Sequence, residues 1–154
     1  MRRLILALGC YLVLSGAAQA EPYALLGASP VEGLSMIDVA SVREAGPYRR
    51  AWAYLVLPEK KPQRVYLEAS ELEFDCARKR TRLVAGVRYD DKEKALARTA
   101  KVDAWIPVVA GSPGAAMHRQ ICGGGFDPAT LRGHGKSVHQ YAAEMRPLLS
   151  RLPR

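Results

Sequence analysis

The chain has 154 residues, with 23 Lys or Arg against 15 Asp or Glu, a formal net charge of +8. A quarter of it is charged and about half is apolar, which excludes wholesale disorder, and the lack of any internal repeat excludes a collagen-like chain. Beyond residue 20 no apolar run approaches the roughly 18 residues that a membrane-spanning helix needs.

The first twenty residues have the layout of a secretory signal peptide: a basic Met1-Arg2-Arg3, an apolar stretch from Leu4 to Leu14, and the small-residue site Ala18-Gln19-Ala20. Cleavage is expected between Ala20 and Glu21, so residues 1–20 form the signal and the protein is expected in the periplasm or medium. The mature 134 residues suffice for one domain with a modest core. Loss of Arg2 and Arg3 leaves 21 basic residues against 15 acidic ones, or +6. That balance suits an envelope or host matrix protein or an anionic polymer as partner, and export argues against nucleic acid. Cys10 falls inside the apolar signal run. Only Leu4 to Gly9 precede it and Ala7 stands three positions back, which argues against a lipid-anchored surface protein.

From Pro22 to about Gly111 the chain reads as strands and turns. Tyr23–Ala28 and Leu34–Val39 are expected as the first two strands, separated by turn material at Ser29-Pro30 and Glu32-Gly33. Ser41 to Pro47 reverses the chain, and Tyr48 to Leu57 follows as a strand carrying Trp52. Pro58 ends it, and Lys60-Lys61-Pro62 reads as a solvent-facing loop. Ser70 to Cys76 alternates Ser70, Leu72, Phe74 and Cys76 against Glu71, Glu73 and Asp75, the period of a half-buried strand. Thr81 to Tyr89 alternates likewise, with Leu83, Ala85 and Val87 against Arg82 and Arg88. A tight reversal over Arg78-Lys79 would set Cys76 opposite Thr81, Phe74 opposite Leu83 and Asp75 opposite Arg82. Leu72, Phe74, Leu83 and Val87 then face inward, and the acids meet bases on a solvent face.

Asp90 to Lys101 is highly charged and reads as a loop or short exposed helix. Val102 to Val109 is expected as a last strand, at an edge because of Pro107. Ser112-Pro113 caps a helix over Ala115–Cys122, which Gly123-Gly124-Gly125 stops. Phe126 to Gly135 reads as a loop. Lys136 to Leu152 carries a helical apolar stripe through Val138, Tyr141, Ala142, Met145, Leu148, Leu149 and Leu152, with Pro147 expected to kink it.

Mature Cys76 and Cys122 are an even pair in an oxidising compartment, where a disulfide is the expectation and a free catalytic thiol the rival. Closing a loop of about 45 residues should contribute roughly 4 kcal/mol. Catalytic signals are faint. His134 and His139 are five apart without a further ligand at metal spacing, and His118 stands alone. Glu71 and Glu73 share a strand face, but an ordinary charged face accounts for them. No nucleophile motif occurs, and no cofactor or metal is expected. Arg78, Lys79, Arg80 and Arg82 concentrate positive charge at the hairpin tip and form the candidate anion-binding patch.

The order of these features resembles a known family. Asp38 ends an early strand with Ser41 after it, and Trp52 marks the next. Glu73-Phe74-Asp75-Cys76 precedes a basic turn and Tyr89, and Trp105-Ile106-Pro107-Val108, Gly111 and a short helix with Cys122 follow. Together they resemble the surface-adhesin protein E-like domain of Gram-negative bacteria. The resemblance implies an α+β fold, a curved antiparallel β-sheet with a helix packed across it and a Cys76–Cys122 bridge. It places the domain at residues 21–125, leaving 126–154 as a C-terminal extension with an amphipathic helix. It also implies a non-enzymatic binding module of the cell envelope, since the founding adhesin binds host proteins such as vitronectin and laminin. The alternative is a small periplasmic enzyme with an unrecognised histidine–carboxylate site such as His134 and Glu73.

Overall fold

A computed structural model describes residues 22–59, 64–100 and 102–153. The expected signal peptide, Cys10 and the Lys60-Lys61-Pro62 loop lie outside them. Nine strands form an open antiparallel sheet: β1 Tyr23–Ser29, β2 Gly33–Asp38, β3 Arg43–Ala45, β4 Tyr48–Val56, β5 Val65–Asp75, β6 Arg80–Asp90, β7 Ala95–Thr99, β8 Ile106–Pro107 and β9 Leu131–Arg132. Their order is β7-β6-β5-β4-β2-β1-β9, with β3 beside β4 and β8 beside β6. Two helices, α1 Pro113–Gly123 and α2 Val138–Leu149, complete an α+β fold.

The strands form where the residue pattern alternates, and the turns where the chemistry demands them. Gly33 closes the β1–β2 hairpin at φ 106°, and a Cβ there would lie 2.2 Å from the Val56 carbonyl oxygen. Only glycine meets both constraints. Asp38 ends β2, its carboxylate accepting from the Ala40 and Ser41 amides at 2.9 and 3.2 Å. Ser41 Oγ accepts in turn from the Trp52 amide, at 2.8 Å, and ties that loop to β4.

Each face of the sheet holds one helix. Register places Ile37, Ala51, Leu72 and Phe74 on one face, where Ile121 of α1 buries against them. Ser112 caps α1 by accepting from the Ala115 amide, and Gly124 ends it at φ 82°. On the other face Tyr23, Leu34, Met36, Val56 and Leu67 meet Tyr141, Ala142 and Leu149 of α2. Ser137 and Gln140 form a capping box there. Tyr66 hydrogen-bonds to His139, and Arg146 donates to the Leu57 carbonyl at 3.1 Å. Burial, reinforced by the Glu93 charge, pushes the Tyr66 hydroxyl up to about 12, so it stays protonated beside the His139 ring.

Several expectations are corrected. The β5–β6 hairpin exists, but its turn spans Cys76–Lys79 and its register is two residues away from the expected one. Phe74 pairs with Thr81, Asp75 with Arg80, Glu73 with Arg82 and Leu72 with Leu83. The cause is local: Asp75 accepts from the Arg78 amide at 3.1 Å, and Lys79 adopts φ 47°. Cys76 thereby leaves the ladder. A bulge at Val84, between the Leu72–Leu83 and Glu71–Ala85 pairs, also carries Val87 to the face opposite Leu83.

The charged stretch after Tyr89 is neither loop nor helix throughout. It turns over Asp90–Lys94 and returns as the edge strand β7, because Asp90 caps the turn through the Lys92 and Lys94 amides. The expected strand at 102–109 shrinks to the two residues of β8, at an edge as Pro107 requires. Part of the reversal before Pro47 is the short strand β3, and part of the loop after Phe126 is β9, paired with β1. Pro147 lies inside α2, which runs two residues past it.

Candidate interaction face

The acidic row of β5 is buried, contrary to the expectation of a solvent face. Glu73 is 2% exposed, Asp75 3% and Glu71 9%. The alternation was read correctly, but water is replaced on that side by arginines from three neighbouring strands. A buried carboxylate persists only when its oxygens are satisfied, and here they are. Arg50 Nε of β4 donates to Glu73 Oε1 at 2.8 Å, and Arg82 Nε of β6 donates to Oε2 at 2.7 Å. Arg43 of β3 pairs with Glu71. Arg80 Nε donates to Asp75 Oδ2 at 2.9 Å. Burial alone would raise the Asp75 carboxyl, but the Arg80 side chain, the Arg78 amide and both guanidinium charges hold it below the usual carboxylate range.

The antiparallel register explains why these groups meet. Glu73 lies between Arg50 and Arg82 across the two adjoining strands, so three directly opposed residues share one side of the sheet. Trp105 covers the end of this ladder. The Arg82 and Arg80 guanidinium carbons lie 4.3 and 4.9 Å from its ring centroid, and the Tyr48 ring stands 4.9 Å away. The Trp105 segment is held to β6 by the Asp103 amide on the Leu83 carbonyl, 3.0 Å, and by the Val108 amide on the Lys79 carbonyl, 2.9 Å. Beside it Ile106 is 59% and Val109 66% exposed. The ladder and its turn carry Arg43, Arg50, Arg78, Lys79, Arg80 and Arg82 against three carboxylates.

The proposed anion patch is thus divided. Arg80 and Arg82 are committed to Asp75, Glu73 and Trp105, whereas Lys79 is exposed at the turn and the Arg78 side chain is 69% exposed, 3.6 Å from Asp75. Arg43, Arg50 and Trp105 were not expected to belong. The arginine of β4 was findable from an assumed β4–β5 pairing. Nothing in the sequence announces that Trp105 folds back over β6.

Cys76 and Cys122 are bonded to each other across 46 positions, their Cα atoms 5.5 Å apart, and join the β5–β6 turn to α1. His118 is 9% exposed with Nε2 3.5 Å from Cys122 Sγ. These three side chains are close enough for a metal, but the sulfurs are bonded to one another. The alternative His134–Glu73 site is not assembled. His134 follows β9, and β4, β2 and β1 stand between β9 and the strand of Glu73. Both oxygens of Glu73 are already taken by arginines.

An open antiparallel sheet stapled by a disulfide to a crossing helix defines the class of α+β protein to which the chain belongs. The family model of surface-adhesin protein E matches residues 25–123, and the chain belongs to that family. No curated protein and no solved structure matches it significantly. Family and disulfide together point to an exported protein with an adhesin-like, non-enzymatic role. Among the described residues no helix is long and apolar enough to cross a membrane.

Proposed function

We propose that the chain is an exported, non-enzymatic binding module whose recognition surface is the arginine ladder, Trp105 and the apolar fringe beside it. The observation that carries this reading is the fixed Arg80–Trp105–Arg82 stack next to exposed Ile106 and Val109. Arginine and aromatic residues dominate binding energy at protein interfaces. Side chains already locked by ion pairs lose little further entropy on docking. Excess positive charge around the stack selects an acidic protein surface. An anionic polymer would engage Arg78 and Lys79 but leave Ile106 and Val109 in water, so an envelope or host protein fits better.

Export rests on the expected signal peptide, with Glu21 as the first mature residue. Intact-mass analysis of protein recovered from the periplasm or medium should give that terminus, and a lipid-modified Cys10 would overturn it. The surface is tested by capture from envelope and host-matrix extracts. Lys79→Glu combined with Ile106→Asp should abolish capture, and Arg88→Glu, outside the ladder, should preserve it. Capture indifferent to the double change would refute the assignment.

A further inference from the structure

On the face opposite the arginine ladder, the turn after β5 and helix α1 bring three metal-ligating side chains together. Cys76, His118 and Cys122 each offer a sulfur or a nitrogen, and these atoms lie within 4.8 Å of one another. His118 stands one helical turn before Cys122 on α1, so both project from the same side of the helix. It is 9% exposed, and among the described residues the polar partner of its ring is Cys122 Sγ, 3.5 Å from Nε2. Sulfur is a weak acceptor, so the disulfide-bonded protein leaves this buried imidazole poorly used. Phe74, Met117 and Ile121 supply an apolar shell around the three side chains.

The distances suit zinc. Zn–S and Zn–N bonds of about 2.3 and 2.0–2.1 Å at a tetrahedral angle hold sulfur and nitrogen roughly 3.6 Å apart. Cys122 and His118 already stand at 3.5 Å. The Cys76 and Cys122 Cα atoms are 5.5 Å apart, so side-chain rotation brings both sulfurs onto one ion. Two thiolates and an imidazole form a three-ligand set that leaves the fourth zinc position to water. Cys76 and Cys122 are half-buried, which gives that water access. We propose that the dithiol form, in which the chain is synthesised, binds one Zn²⁺ through Cys76, His118 and Cys122. Metal and disulfide are then alternative staples between the β5–β6 turn and α1. Binding forms two Zn–S bonds and one Zn–N bond, releases the two thiol protons and transfers no electron. Closing the bridge from this state passes two electrons to a disulfide oxidant and expels the zinc. The site does not depend on the ladder, and either reading can fail alone.

The test uses the mature protein, reduced with a phosphine and stripped of metal, then titrated with Co²⁺ and Zn²⁺. One equivalent of Co²⁺ should give thiolate-to-cobalt charge-transfer absorption and the visible bands of a tetrahedral site. One equivalent of Zn²⁺ should abolish them and raise the melting temperature of the reduced protein. The disulfide-bonded protein should take up neither ion. His118→Gln should still form the bridge and, once reduced, bind Zn²⁺ at least about tenfold more weakly, the least that losing even an outer-shell partner costs. His134→Gln, in the exposed loop after β9, should bind as the parent does. Where reduced His118→Gln does not fold, the imidazole nitrogen NMR signals of the parent decide. Zinc should shift those of His118 and leave those of His134 in place. Zinc affinity unchanged in His118→Gln, unshifted His118 nitrogens, uptake by the disulfide form, or no uptake at one equivalent would overturn the proposal.

Discussion

Glu73 holds the ladder together because it satisfies guanidinium groups on both neighbouring strands. Glu73→Gln keeps the shape but removes the charge that Arg50 and Arg82 share. Breaking a buried ion pair costs about 3–5 kcal/mol, and partial access of both arginines to water puts this case near about 3 kcal/mol. Urea denaturation of the two proteins measures it, and a loss under about 0.5 kcal/mol, the scale of a surface change, would mean the row is solvated after all. Asp75 gives the ladder a pH signature. Its folded carboxyl titrates below the unfolded value, so its stabilisation is complete above about pH 4. It is lost as pH falls through the lower folded value. Asp75→Asn should flatten that acid limb of the stability curve. An unchanged limb would remove Asp75 from the account.

At the scale of elements, the hairpin of β5 and β6 shows what periodicity conveys and where it stops. Alternation identified both strands and put Phe74 inside. Phe74 is 1% exposed against Ile121, and Phe74→Ala should cost about 3–5 kcal/mol in the same denaturation assay. Less than about 1 kcal/mol would refute its packing. Register was illegible because it depends on how Asp75 caps a four-residue turn, which side-chain period does not encode. The bulge at Val84 likewise leaves no mark in the alternation, yet it reverses the face of Val87. Burial of Glu71 and Glu73 was missed for a related reason. A period of two separates two faces but does not say what covers each one. Here arginines on β3, β4 and β6 cover the polar face, and they are far apart in sequence. Edge strand β7 was missed because four of its five residues are exposed and it lacks an inward row.

The whole molecule depends on covalent and packed connections between its two faces. The Cys76–Cys122 bridge joins the ladder's turn to α1, while α2, beyond the family match, closes the core over β1, β2 and β4. The pairing was legible from cysteine count and compartment. The integration of β9 with β1 was not, since a two-residue strand carries no pattern. Reduction should lower stability by roughly 4 kcal/mol for a loop this long, which lowers the melting temperature by well over 10 °C on the scale of small domains. A melting temperature unchanged by reduction, with two free thiols confirmed, would show that the bridge does not hold α1 to the sheet. These connections keep Arg80, Arg82 and Trp105 in one rigid surface, the central claim of the account. Its most direct test is photo-cross-linking in cells, with benzoylphenylalanine placed at Ile106 and, as a control, at Val31, which is 61% exposed beside the opposite end of β4. The account predicts a discrete protein adduct from position 106, lost when Lys79 is changed to Glu, and none from position 31. Adducts from position 31 alone, or from neither position in any host or envelope setting, would contradict it.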